Sequence, residues 1–125
     1  MKFATYQERQ VAYQSEGRGP AVVLLHGFGE DSRVWDEFRE DLLEEKYRVI
    51  RIDLPGFGAS EVLPEVTIEA MAGAVQAVVE TLGLGPFVLI GHSMGGYVGL
   101  AYAERQADRL AGLGLFHAHP FTDSE

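Results

Sequence analysis

The chain has 125 residues, 46% of them hydrophobic and only five of them proline, enough for one domain, or part of one, with a real core. Nineteen acidic against ten basic residues give a formal net charge of −9, a field that repels phosphate backbones and anionic membrane surfaces and so argues against nucleic acid and membrane as partners. With no cysteine, neither a disulfide framework nor a thiolate metal site can form.

The amino-terminal stretch MKFATYQERQVAYQSEG contains no uninterrupted apolar run that could serve as a signal-peptide core, and a soluble cytoplasmic protein is expected. Phe3 to Tyr6 and Val11 to Gln14 alternate apolar and polar residues around a polar QER connection, which predicts an antiparallel pair. Ala21 to Leu25, AVVLL, is a continuous β-branched and leucine run of the kind that is buried on both faces of a sheet. Asp31 or Ser32 then caps a helix in which Trp35, Phe38 and Leu42 recur at helical spacing. The eight carboxylates from Glu30 to Glu45 read as a solvated helix face, to which no function is assigned.

YRVIRIDLPG predicts the next strand, ended by Pro55 and Gly56. Thr67 caps a further helix, with Met71, Val75, Val78 and Leu82 as its apolar stripe and Gly83 as its stop. PFVLI gives another buried strand, followed by a helix from about Met94 to Gln106 and a last strand, Leu110 to Phe116. Strands alternating with helices of about a dozen residues predict an α/β fold, a mostly parallel sheet with helices on both faces and six strands in this chain. LAGLGLF carries no charge or proline to guard an edge, so it expects a further neighbour in the sheet.

Between the fifth strand and its helix lies Gly91-His92-Ser93-Met94-Gly95, which satisfies G-x-S-x-G in the strand-to-helix context that gives this motif its meaning. A serine projected from such an elbow needs glycine two residues away on either side, because side chains there would collide. Gly95, Gly99 and Ala103, spaced by four, form a small-residue stripe that lets the helix lie close to the sheet. The helix N-terminus aims free amides and its positive dipole end at the serine, where negative charge would develop. After the earlier AVVLL strand comes His26-Gly27-Phe28-Gly29, and the backbone N–H groups of Phe28 and Met94 are the candidate pair of oxyanion donors.

Three separated stretches, HGFG, DLPGFGAS and GHSMGG, resemble in type and order the α/β-hydrolase fold family, in its esterase and carbon–carbon hydrolase branch, and the resemblance covers essentially the whole chain. It implies that Asp53, Pro55, Gly56, Gly58 and Ser60 shape a wall of the active site, and that Asp53, standing before the nucleophile, is not the triad acid. It implies acyl transfer to Ser93, since members that open epoxides or displace halide carry aspartate at that position, and it implies no metal and no organic cofactor. The family's sheet has eight strands, so residues 1–125 are expected to be the amino-terminal part of one domain whose lid and remainder lie beyond residue 125.

A serine nucleophile needs a base, and the four histidines are poor candidates. His26 belongs to the oxyanion loop and His92 to the elbow, each directed away from the reactive face of Ser93. His117 and His119 follow a strand end and fit a polar exit into a lid better than a triad, and Asp123 is no better an acid. The expected function is a serine hydrolase acting on a small ester, thioester or activated carbon–carbon bond, its acid and histidine supplied from beyond residue 125. Apolar Phe28, Met94 and Trp35 suggest an apolar acyl group. The competing expectation is a non-catalytic ligand-binding or receptor protein on the same fold. Expected partners are a small-molecule substrate and, at the last strand, a complementary carboxyl-terminal half or a second copy of the chain.

Overall fold

Two consecutive left-handed residues, Gln7 and Glu8 with φ of 52° and 64°, fold strand β1 (Lys2–Tyr6) back onto β2 (Arg9–Glu16) in a two-residue hairpin. The computed structural model describes residues 1–116. After the hairpin come β3 (Ala21–Leu25), a 3₁₀ turn (Ser32–Trp35), α1 (Asp36–Glu44), β4 (Arg48–Ile52), α2 (Ile68–Leu82), β5 (Phe87–His92), α3 (Met94–Gln106), a second 3₁₀ turn (Ala107–Arg109) and β6 (Leu110–Phe116). These form one six-stranded sheet in the order β1-β2-β4-β3-β5-β6. β1, β2 and β4 are antiparallel neighbours, whereas β4, β3, β5 and β6 run parallel.

The parallel strands all end at one edge of the sheet, where the loops after β3, β4 and β5 gather. β3 sits at the centre, with Leu25 level with Ile52 on one side and Gly91 on the other. That register sets the loop beginning at His26 beside the turn containing Ser93.

Alternation along the strands builds two apolar layers. Val23, Leu25, Ile50, Ile52 and Leu89 pack with Met71, Val75, Val78, Val98 and Tyr102 of α2 and α3. Val22, Leu24 and Val49 face Trp35 and the partly buried Phe38, Leu42 and Leu43 of α1. Helices therefore cover both faces, as expected. α2 begins where the Thr67 hydroxyl accepts the Ala70 N–H at 3.0 Å and stops at Gly83, which is left-handed at φ 63°. Val75, Val78 and Val79 are wholly buried, each contributing about 1.5–3 kcal/mol of transfer free energy.

α1 has no fully buried residue. Its attachment is ionic as well as apolar. Arg51 of β4 is buried beneath it, where its guanidinium donates to Asp36 Oδ1 at 2.6 Å, meets Glu16 at 3.4 Å and also donates to Gln14. The expectation of a solvated acidic face holds for Asp36, Glu37, Glu40, Asp41, Glu44 and Glu45, which are exposed, although Asp36 and Glu40 pair with arginines, and fails for Glu30 and Asp31, which are half-buried and each have a defined partner. Trp35 is buried as well. At 5% exposure it belongs to the core beneath α1, packed on Phe38, with its ring edge-on to His92 at 6.3 Å.

No helix among the described residues is long and apolar enough to cross a membrane.

Candidate active site

Ser93 is the single residue between β5 and α3, and its backbone stands at φ 57°, ψ −116°, a conformation that non-glycine residues enter only when their surroundings force it. The force is visible in its neighbours. A Cβ on Gly91 would lie 2.2 Å from the Gly95 carbonyl oxygen, and one on Gly95 would lie 2.6 Å from the carbonyl oxygens of both Leu25 and His26. Helix α3 thus presses its first turn onto the ends of β3 and β5 with no room for a methyl group at either place. The expected glycine requirement is met at both positions. The Ser93 N–H is fixed by the Phe116 carbonyl of β6 at 2.8 Å, and the Ser93 carbonyl accepts the Gly96 N–H at 2.8 Å. Its hydroxyl makes no capping hydrogen bond to the helix it precedes.

The loop after β3 is held from several sides. Leu54 N–H donates to His26 Nε2 at 2.8 Å, so that nitrogen carries no proton and the ring's hydrogen must be on Nδ1. Nδ1 in turn donates to the Gly27 carbonyl at 2.8 Å, and the Glu30 N–H donates to the same oxygen at 3.2 Å. Burial holds the His26 pKa below its ordinary value, against the opposing pull of the Gly27 carbonyl and nearby carboxylates. With the Gly27 carbonyl pinned, the planar trans peptide turns the Phe28 N–H the opposite way. No acceptor among the described residues takes that N–H. The Phe28 ring is 78% exposed and meets Phe57 edge-on at 5.4 Å.

Gly27 joins the two loops. A Cβ placed on it would stand 3.2 Å from Ser93 Cβ and 3.3 Å from His92 Nδ1. The structure therefore brings the loop that carries Phe28 against Ser93, the residue before Met94, and Met94 begins α3 with its side chain packed on the main core.

Asp53 is spent on structure. It is buried, its Oδ1 accepts the Ser32 N–H at 2.8 Å and its Oδ2 the Ala59 N–H at 3.0 Å. The Ser60 hydroxyl donates to the Asp53 carbonyl at 2.5 Å and accepts the Ala12 N–H at 2.7 Å, tying the DLPGFGAS loop to β2. Gly58, at φ 55°, leaves no space for a Cβ beside the Asp53 carboxylate. Both described histidines are engaged elsewhere, His26 with Leu54 and Gly27, His92 with Glu30 at 3.3 Å. His117, His119 and Asp123 lie outside the described residues. Sequence reasoning missed Glu30, whose only signal is its position three residues after Gly27, within reach of that residue's amide.

Residues 20–124 match the family model described as the alpha/beta hydrolase fold. The chain belongs to the alpha/beta hydrolase family. Among curated relatives, it is 38% identical over 107 residues to a pimeloyl-[acyl-carrier protein] methyl ester esterase of Methylococcus capsulatus, covering 86% of this chain and 40% of that protein. It is 33% identical to a 2-hydroxy-6-oxo-6-phenylhexa-2,4-dienoate hydrolase of Comamonas testosteroni, over 95% of this chain and 48% of that one. A solved thermophilic esterase from Thermogutta terrifontis superposes with a TM-score of 0.84 at 45% identity, over 91% of this alpha/beta hydrolase chain and 44% of the esterase. The chain thus spans under half the length of the relatives it matches.

Proposed function

We propose that this chain carries the nucleophile and oxyanion hole of a serine hydrolase. Ser93 attacks the carbonyl of a small ester, thioester or activated carbon–carbon substrate, and the amides of Phe28 and Met94 receive the oxyanion. The observation that supports this most is the forced backbone of Ser93, held between Gly91 and Gly95 with its hydroxyl unspent as a cap. Strain of this kind persists only where surrounding structure over-determines it. The fixed Gly27 carbonyl, which turns the Phe28 N–H outward, supports the second donor. Relatives named as a methyl ester esterase and as a dienoate hydrolase are in keeping with this reading.

The general base comes, on this proposal, from outside residues 1–116, because both described histidines have other partners. β6 supplies the place for it: an edge strand whose Leu113, Leu115 and Phe116 are exposed, suited to pairing with a complementary carboxyl-terminal segment or a second copy of the chain. The substrate is taken to be a small molecule and the setting cytoplasmic.

A fluorophosphonate probe applied to the catalytically competent protein is expected to label Ser93, and Ser93→Ala to abolish labelling. Labelling at another serine sinks the assignment. In the same assay Phe28→Leu keeps most turnover, whereas Phe28→Pro, which removes the N–H, lowers kcat by about 100-fold to 1000-fold. Equal losses would move the role from backbone to ring.

A further inference from the structure

Glu30 has more partners than a loop carboxylate requires. Its Oε1 accepts the Gly27 N–H at 2.8 Å and stands 3.3 Å from His92 Nδ1, while its own N–H donates to the Gly27 carbonyl. One residue thus holds Gly27 at both its N–H and its C=O, and reaches across to the residue immediately before Ser93. The vacant Cβ position of Gly27 lies inside this arrangement, 2.9 Å from Glu30 Oε1, 3.2 Å from Ser93 Cβ and 3.3 Å from His92 Nδ1. His92 is restrained in its turn, its ring edge-on to buried Trp35 at 6.3 Å.

Resting on the assignment of Ser93, Phe28 and Met94 above, we infer that Glu30 is a positioning residue that fixes the spacing between the two oxyanion donors. Those donors sit on different loops. The Phe28 amide belongs to the loop after β3 and the Met94 amide to the turn after β5, so a small slide of one against the other opens the hole. Donors act at full strength only within a few tenths of an ångström of the developing oxyanion. The Glu30 carboxylate bridges the loops with a charge-assisted bond to an amide of one and a ring nitrogen of the other. It has a second effect on the same loop: by occupying the Gly27 N–H, it leaves the Phe28 N–H as the free donor there. The pair is partly exposed, so it adds little to global stability. Its effect belongs to the rate.

The test uses the ¹⁵N-labelled full chain, with Glu30→Ala, Glu30→Gln and His92→Phe. Glu30→Ala is expected to abolish the solvent-exchange protection of the Gly27 amide and to move the Phe28 and Met94 amide resonances together. Glu30→Gln, which keeps an acceptor oxygen, restores the protection. His92→Phe, which keeps a ring against Trp35, moves Met94 and spares the protection of Gly27. In catalytically competent protein, Glu30→Ala lowers kcat for p-nitrophenyl acetate about tenfold with KM within about twofold, less than the loss of a whole donor, and Glu30→Gln recovers most of it. Unchanged Gly27 and Met94 resonances in Glu30→Ala overturn the inference. So does a large fall in its urea midpoint, which would make Glu30 a structural residue. Coupled resonances, together with a Ser93 that does not react with fluorophosphonate in catalytically competent protein, overturn the nucleophile assignment and leave the bridge standing.

Discussion

His26 shows how one buried ring fixes an amide it never touches. Its Nε2 accepts from Leu54 and its Nδ1–H holds the Gly27 carbonyl, so the ring is useful only as the neutral Nδ1–H tautomer. A proton added to Nε2 would face the Leu54 N–H. Because burial lowers its pKa, the unfolded chain takes up this proton at about 6.5 while the folded chain resists. The contribution is fully present above that pH and is lost as pH falls below it, ceasing to change once the folded pKa is passed. Urea unfolding between pH 7.5 and 5 is expected to show a steeper loss for the wild type than for His26→Gln, by up to about 1.4 kcal/mol per pH unit. Parallel curves contradict this. At this scale the sequence disclosed residues whose chemistry is inseparable from a local pattern, such as Ser93 between its two glycines. It could not disclose Glu30 or the anchoring of Asp53, whose partners are set by loops that meet only in the folded sheet.

Helix α3 and strand β5 meet through absent side chains, and the tolerance differs sharply between neighbouring glycines. Gly91 leaves no room beside the Gly95 carbonyl, whereas a Cβ on Gly96 would find its nearest atom at 3.6 Å. Gly91→Ala is therefore expected to cost about 3 kcal/mol or to prevent folding, and Gly96→Ala to stabilise by up to about 1 kcal/mol through helix propensity, as read by urea denaturation. Equal effects would show that the helix can lift off the strand. The boundaries of α2 were legible because cap, stripe and stop coincide at Thr67 and Gly83, and those of α3 and β6 because the glycine-flanked elbow and an apolar run mark them. The antiparallel pair joined at QER was legible too, but its left-handed turn was not, since Gln7 and Glu8 do not advertise such a backbone. Nor was the ionic seating of α1 on Arg51, a charge that reads as an outward residue of β4 until Gln14, Glu16 and Asp36 surround it.

The whole molecule is asymmetric in how it finishes its sheet. Among the described residues, one side ends in the short β1 of the hairpin, while the other ends in β6 with Leu113, Leu115 and Phe116 exposed, Leu113 and Leu115 on the α3 side and Phe116 against Trp35 and Phe38. In light scattering the chain is expected to rise above its 13.7 kDa mass as concentration increases, and Leu115→Lys to move it back towards the monomer. A constant monomer mass across concentrations would show the edge to be self-sufficient. Class and layers were readable from alternation, but strand order was not, because nothing local tells β3 to enter between β4 and β5.

The hydrogen bond from the Ser93 N–H to the Phe116 carbonyl links that edge to the elbow. A strand that pairs with β6 and shifts Phe116 also shifts the backbone of Ser93, so the two events share a free energy. Such coupling is reciprocal. If Ser93 is the nucleophile proposed above, a strand whose docking favours its acylated form is in turn bound more tightly once the serine is acylated, and the acyl group becomes a signal that can be read at the rim of the sheet.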